Sequence, residues 1–479
     1  MSRRAVVIGA GLAGMLAAAA LSDAGADEVI VLDRDGLPAG PEHRRGLPQG
    51  HHAHLLMPGG LDAMEELLPG VDPRGRLLAA GAHEVSLSSG MLALTSEGWL
   101  RRWRRAGPVM LTCTRPLLDW VIRTAVLEHA PVEIRRAAVT GLTGSAGRVH
   151  GVRVAAPPGG GENRRTVRDE EEELDADLVV DASGRGTRVV TWLDGIGLSG
   201  IRERTVDSGL VNATRLYRVP EGAERFPLTI VQANPFVSRP ARSAMVMPVE
   251  GGRWLVSCGG SRGGEPPADP EGFLRYMLDL PDPIVGRLVS GAEPLTDIHL
   301  SRSTSNVRRY LEKAPRWPDG FVALGDALAT FNPAYGHGMS VAAFGARVLG
   351  RELNGVAGDL GAPGLARRVQ RGAARVAEAA WSMAVSQDVL YPGVRGGTPT
   401  VADRVVSAYT RRVTRAATGS YPAASALWGV TGLRASPARM FHPATVLATV
   451  AGSPLPPSTR PPMTSGERKV LERLDRTEV

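Results

Sequence analysis

The segment AVVIGAGLAGMLAAAALSDAGADEVIVLDRD, beginning at Ala5, constrains this chain more than any other. It reads as strand, turn, helix, strand. Ala5 to Ile8 is a short apolar strand, and an alanine-rich helix runs to about Ala24. A second strand, Glu28 to Leu32, ends at Asp33. Gly9, Gly11 and Gly14 form GxGxxG at the first turn. In that pattern the first glycine permits a tight turn, the second lets backbone approach a pyrophosphate, and the third lets helix and strand pack closely. The helix N-terminus offers free N–H groups and a positive dipole end to phosphate. Asp33 lies 19 residues after Gly14, where an acid can accept hydrogen bonds from a ribose. An ordinary strand–helix turn needs none of these coincidences, so the segment points to a bound dinucleotide.

A second segment, FVALGDALATFNPAYGHGMSVAA (residues 321–343), has a related grammar. An apolar strand, Phe321 to Leu324, runs into Gly325-Asp326, then a kink at Pro333, then glycines at 336 and 338 before a helical pattern. With the first segment it resembles the late element of glutathione-reductase-like flavin folds. There a carboxylate reaches the ribityl chain and a helix N-terminus faces the flavin pyrimidine.

With HRRGLPQGHHAHLLMPGG and DLVVDASGRGTRV added, residues 1 to about 350 resemble flavin-dependent monooxygenases of the p-hydroxybenzoate-hydroxylase-like fold. The narrower resemblance is to the flavin epoxidases of bacterial polyether biosynthesis, of the monensin and lasalocid type, which are related to squalene epoxidase. It implies an α/β fold: a glutathione-reductase-like, Rossmann-type FAD-binding domain, an inserted antiparallel-sheet substrate domain and a helical C-terminal region. The expected boundaries are 1–190 and 301–360 for the FAD-binding domain, 191–300 for the substrate sheet, and 361–479 for the helical region with a loosely ordered tail. FAD contacts are implied at Gly9, Gly11, Gly14, Asp33, Arg34, Arg44, Arg115 and Val139, and at Asp326, Pro333, Gly336, Gly338 and Met339. Asp326 would bind a ribityl hydroxyl, Pro333 would narrow the space beside the ring, and Gly336 to Met339 would aim N–H groups at the N1/O2 edge, stabilising charge on reduced flavin. No metal is expected: His52 and His54 lack Cys or carboxylate neighbours.

The resemblance implies oxygen transfer from a flavin C4a-hydroperoxide to alkenes of a hydrophobic polyketide- or terpenoid-like intermediate, with O2 as co-substrate. That chemistry belongs to the cofactor, so no side-chain nucleophile is required and none is assigned. Tyr335 and His337 fit packing or backbone support better than acid/base work. Where many aromatic hydroxylases carry Asp-Gly, this chain has Ser183-Gly184. NAD(P)H could therefore act directly or through a separate flavin reductase as partner. Hydroxylation of an aromatic or polyketide substrate, and reduction of the geranylgeranyl-reductase type, stay open as alternatives. Halogenation fits poorly, because no lysine precedes Lys313 and Trp99 and Trp103 lack the halogenase spacing.

Bulk properties add limits. At 479 residues and 43% hydrophobic, the chain can bury a large core and is not disordered. The net charge of +7 is almost wholly arginine, and its densest cluster, WLRRWRRAG, reads as a solvated face rather than a nucleic-acid site. Cys113 and Cys258 form no ligand pattern and fit free thiols in a reducing, cytoplasmic setting. No transmembrane span is expected, and the N-terminal apolar stretch reads as structure because glycines interrupt it. The acidic run RDEEEELDADLVV reads as a turn entering the strand Leu178 to Asp181, and SAMVMPVEGGRWLVSCGGSRG as a hairpin turning at Glu250-Gly251-Gly252.

Overall fold

A computed structural model describes residues 3–156, 171–302, 304–452 and 455–475. Its centre is a five-stranded parallel sheet in the order 321–323, 178–181, 4–8, 28–33, 132–136. Three of these strands are the runs RAVVI, EVIVLD and LVVD, almost continuously apolar, as a parallel sheet covered on both faces requires. Their register sets Ile8 beside both Leu32 and Asp181, and Asp181 beside Ala323. The carboxyl ends of four strands thus meet along one edge, which is where ligands of open α/β sheets bind.

The first helix, Leu12–Asp23, is buried nearly all round. Its alanines allow close approach to the sheet and to the helix Gly338–Asn354, which packs beside it.

A second sheet has seven strands, in the order 299–301, 211–218, 253–260, 242–249, 228–231, 91–95, 98–99. The hairpin Arg242–Val249 and Arg253–Gly260 turns through Gly251 and Gly252, both at positive φ. Met91–Thr95 and Gly98–Trp99 also join this sheet, so its edge comes from well before residue 191. Alternation along it feeds two cores. Trp254 and Val256 face a cluster with Phe273 and Leu288, while Leu255 faces one with Trp428.

The C-terminal region is helical from Leu365 onward, as its pattern suggested. The tail departs from expectation. Ser465–Asp475 is a helix that buries Leu471 and Leu474 and ties Asp475 to Arg287. Its last four residues lie outside the described ones, as does the start of the acidic run, Arg168 to Glu170; Glu172–Asp175 of that run is a strand. In WLRRWRRAG, Trp99 is buried and Arg102 is bound to Glu467 at 2.7 Å, while Arg104 and Arg105 are exposed. Both cysteines are free and buried. Among the described residues no helix is long and apolar enough to cross a membrane.

Candidate functional site

At the Gly9 end of the sheet's carboxyl edge, the glycine spacing has a steric cause. Gly9 has φ +98°, and a Cβ there would sit 2.7 Å from the Ala182 carbonyl oxygen. A Cβ on Gly14 would lie 1.8 Å from the Gly9 carbonyl oxygen, an impossible overlap. Gly11 caps the helix, and its Cβ would meet the Arg44 guanidinium at 3.3 Å. Asp33 stands at the end of its strand as expected. Its Oδ2 accepts from the Ala10 N–H (2.8 Å) and from Arg44 (3.2 Å), and its Oδ1 from the Asp35 N–H (2.9 Å).

Around this turn the fold gathers cations. Arg115 pairs with Asp119 at 2.8 Å, and Arg123 shares a small cavity with Arg44 and Asp119. Two buried polar atoms there, Arg44 Nε and Asp119 Oδ2, have no protein partner among the described residues. Unsatisfied buried donors are costly, so an orphaned guanidinium nitrogen beside a glycine turn fits an anionic ligand such as a diphosphate. Arg34 is exposed beyond Asp33, and Val139 lies on the strand Ala138–Ser145, just after Ala137, whose N–H donates to the Asp33 carbonyl.

The other end is assembled from distant pieces. Asp326 sits on a short turn after the strand Phe321–Ala323. Its carboxylate makes no hydrogen bond with the described residues, and a Cβ on Gly338 would be 3.8 Å from its Oδ1. Burial raises its pKa, while Arg185, Arg115 and Arg309 pull in the opposite direction. A half-buried acceptor held against the start of a helix, with no protein donor, suits a hydroxylated ligand. Pro333 and Ala334 are exposed, Gly336 has φ +67°, and Met339 is buried at the head of the helix Gly338–Asn354. The N–H groups of Gly338, Met339 and Ser340 lie in that helix's first turn, where no intrahelical acceptor exists.

Residues that sequence reasoning did not single out hold this loop in place. Asp388, 1% exposed at the end of the helix Leu365–Asp388, accepts from Asn332 (3.0 Å), Asn306 (2.6 Å) and the Tyr335 hydroxyl (2.7 Å). The Asn332 N–H donates to Asn306 Oδ1 at 2.7 Å, and Asn332 Oδ1 accepts from the Ala334 N–H. Arg185 donates to the carbonyls of Ser305 and Phe331. Burial raises the Asp388 pKa, and its hydrogen bonds oppose that shift. Arg185 stands inside DASGRG, four residues beyond the end of the strand Leu178–Asp181. Asp388 carries no local signal, because its partners are more than fifty residues away.

Ser183 has a structural duty. Its N–H and hydroxyl both donate to Asp181 Oδ1, at 2.9 and 2.6 Å, and Thr187 bonds the other oxygen. The turn at Gly184 to Gly186 faces open space.

The histidines of the 43–54 segment form a joint between the two sheets. His43 stacks on His51 at 3.6 Å, and His51 on His299 at 4.1 Å. His52 Nδ1 shares a hydrogen bond with the Thr214 hydroxyl at 2.8 Å. Their rings stack rather than converge their nitrogens, and no cluster of three or more ligating side chains that could hold a metal occurs among the described residues. Burial, then neighbouring imidazoles, lowers the pKa of His51 and of His52 to about 4. His337, buried, also falls to about 4 and leaves Nδ1 unpartnered.

Comparison with known proteins agrees with this geometry. A family profile described as an FAD binding domain matches residues 4–38. Protein Rv3254 of Mycobacterium tuberculosis is 33% identical over 399 residues, covering 81% of this chain and 80% of that one. The flavin-dependent brominase Bmp2 superposes with TM-score 0.63 at 15% identity, over 99% of both chains. The anhydrotetracycline hydroxylase OxyS of Streptomyces rimosus gives TM-score 0.57 at 16% identity, over 90% of this chain and 76% of that one. At those identities the likeness is one of fold: an FAD-binding fold with a parallel Rossmann-like core, antiparallel sheets and a helical C-terminal region.

Proposed function

We propose that this chain, which belongs to the family of the Mycobacterium tuberculosis protein Rv3254, is an FAD-dependent monooxygenase that epoxidises alkenes of a hydrophobic polyketide- or terpenoid-like intermediate. The observation that carries the reading is a pair of polar groups without protein partners along one sheet edge. An orphaned Arg44 nitrogen lies beside a glycine turn, and a partnerless Asp326 carboxylate lies against a helix start, both along the carboxyl edge of one sheet.

In this reading Arg44, Arg115 and the N–H groups after Gly11 hold the diphosphate, Asp33 the ribose, and Asp326 a ribityl hydroxyl. When bound and reduced, FAD supplies activation of O2 for transfer of one oxygen atom. The balance is alkene, O2, two electrons and two protons to epoxide and water, with NAD(P)H as the electron source, directly or through a reductase. The first turn of Gly338–Asn354 would stabilise negative charge at the ring edge by preorganised N–H groups. The seven-stranded sheet would wall the substrate chamber and exclude water.

Epoxidation is favoured over phenol hydroxylation by what the ring-facing loop lacks. A phenol gains from a base that takes its proton, whereas an alkene has no proton to give. Tyr335 is committed to Asp388, and His337 is a weak base with a pKa of about 4.

The test is anaerobic reduction of FAD-loaded protein, then rapid mixing with labelled O2 and either a polyene or a phenol. Label in a polyene epoxide supports the proposal. Label in the phenol alone moves it to hydroxylation. Immediate return to oxidised flavin without label in either overturns the oxygenase reading in favour of a reductase.

A further inference from the structure

The surface of the C-terminal helices carries a second feature unrelated to the candidate site. Of the ten large apolar side chains exposed among the described residues, six lie between Val401 and Val450. Val401 is 79% exposed, Val405 64%, Phe441 62%, Leu447 67% and Val450 80%. Single exposed apolar residues are ordinary, but a concentration on one short region is not.

These residues share one side. Val401 and Val405 are one turn apart on the helix Val401–Ala417, with Tyr409 a turn further on. Tyr409 stacks on Phe441 with centroids 4.7 Å apart, and its hydroxyl donates to the Met440 carbonyl. Pro443, Leu447 and Val450 line one face of the next helix, Pro443–Val450, whose opposite side buries Thr445. That helix packs against Val401–Ala417, so the exposed side chains border one another.

Beyond Asp403, the charge contributed by this stretch has one sign. Between Asp403 and Glu467 the chain contains seven arginines and neither aspartate nor glutamate. Arg411 and Arg434 pair with Glu97 and Asp62, whereas Arg404, Arg412 and Arg439 are exposed and have no ion pair among the described residues. Arg412 continues the face of Val401 and Val405, two turns beyond Val405.

We infer that this face is a docking surface for an anionic lipid bilayer, with the apolar side chains entering the interface and the arginines resting among acidic headgroups. Apolar side chains fringed by unpaired arginines are what interfacial membrane binding requires, and arginine stems snorkel to reach headgroups. Positive charge without apolar exposure would suit nucleic acid. Apolar exposure without the charge would suit a second copy of this chain. The combination on one face fits an acidic membrane best. The inference does not depend on the flavin chemistry of the candidate site.

Co-sedimentation of the full chain with vesicles tests it. Vesicles of phosphatidylglycerol and phosphatidylcholine should pellet the protein, phosphatidylcholine alone should not, and high salt should release it. Arg404→Gln with Arg412→Gln should weaken binding roughly tenfold to thirtyfold. Leu447→Glu with Val405→Glu should weaken it about tenfold or more. All four positions are exposed, so thermal midpoint and flavin content should match the parent protein and separate lost docking from lost folding. Absence of binding to acidic vesicles overturns the inference. So does a dimer in light scattering that becomes a monomer on Leu447→Glu, because a second copy would then occupy the face.

Discussion

The two halves of the candidate site are built in opposite ways. The glycine turn takes nearly everything from one stretch, Ala5 to Asp33, in which strand, turn, helix and acid follow one another. The loop at residues 332–335 takes its geometry from its own Asn332 and Tyr335 and from Arg185, Asn306 and Asp388, in all four separate places in the chain. At the first end, constraint is steric and backbone is pressed on backbone. At the second, constraint is a buried hydrogen-bond network around one carboxylate. Gly9 and Gly14 at the steric end tolerate no added atom. The networked end can lose a member and still fold, but its loop will move.

Gly14→Val should break the first end completely. Its Cβ would overlap the Gly9 carbonyl, so a loss of about 3 kcal/mol or more is expected, with no FAD retained on purification. Thermal denaturation and flavin content measure both. A stable, flavin-loaded Gly14→Val protein would refute the steric account of this turn.

Asp388→Ala sharpens the contrast. It strands Asn306, Asn332 and the Tyr335 hydroxyl in a buried site, for an expected loss of about 2–3 kcal/mol. FAD should still bind, held by the intact glycine turn, but its reduction potential should shift as the N–H groups near the ring are displaced. Tyr335→Phe should lose about 1 kcal/mol and shift the potential less. A potential unchanged in both variants would mean that the network supports only folding.

Buried histidines in both halves of the molecule give a pH dependence. His52 and His337 are buried and have folded pKa values of about 4, below an unfolded value of about 6.5. The unfolded chain therefore binds more protons between those limits. Stability from these groups is fully present above pH ~6.5 and is lost as pH falls towards ~4, at up to about 1.4 kcal/mol per pH unit for each histidine. Urea unfolding at neutral and mildly acidic pH should show the decline, and His337→Gln should reduce its slope by one proton. An unaltered slope would place the proton uptake elsewhere.

The smallest effect belongs to Arg34, exposed at the mouth of the steric end. Arg34→Ala should change stability by less than about 0.5 kcal/mol and FAD affinity only modestly. Flavin titration against the Arg44→Ala variant gives the scale, since Arg44 is buried against Asp33 and has a nitrogen without a protein partner.

What each end disclosed before folding follows from these differences. GxGxxG with an acid 19 residues later was readable because helix and strand periods, glycine sterics and dipole placement act over a few residues. GDALATFNPAYGHG could be read as a cradle for the same local reasons. The parallel core was legible in its apolar runs, and the hairpin at Gly251-Gly252 in its turn chemistry. Asp388 was not legible. An aspartate at a helix end is usually a solvated one, and only docking of that helix onto the loop at residues 332–335 buries it. The participation of Met91–Thr95 in the second sheet was equally hidden, because strand pairing across more than a hundred residues depends on which edges the folded chain brings together. The C-terminal helix that buries Leu471 and Leu474 lay in a segment whose proline, serine and charge content suggested a loose tail.

By itself the sequence determined the cofactor-binding grammar, since glycines and acids at fixed spacing act through backbone sterics within one supersecondary unit. Only the tertiary structure decided which carboxylate anchors the loop at residues 332–335, which strands complete the second sheet and which arginines have no ion pair among the described residues. Those outcomes depend on burial and long-range docking, whose energies exist only once distant segments meet.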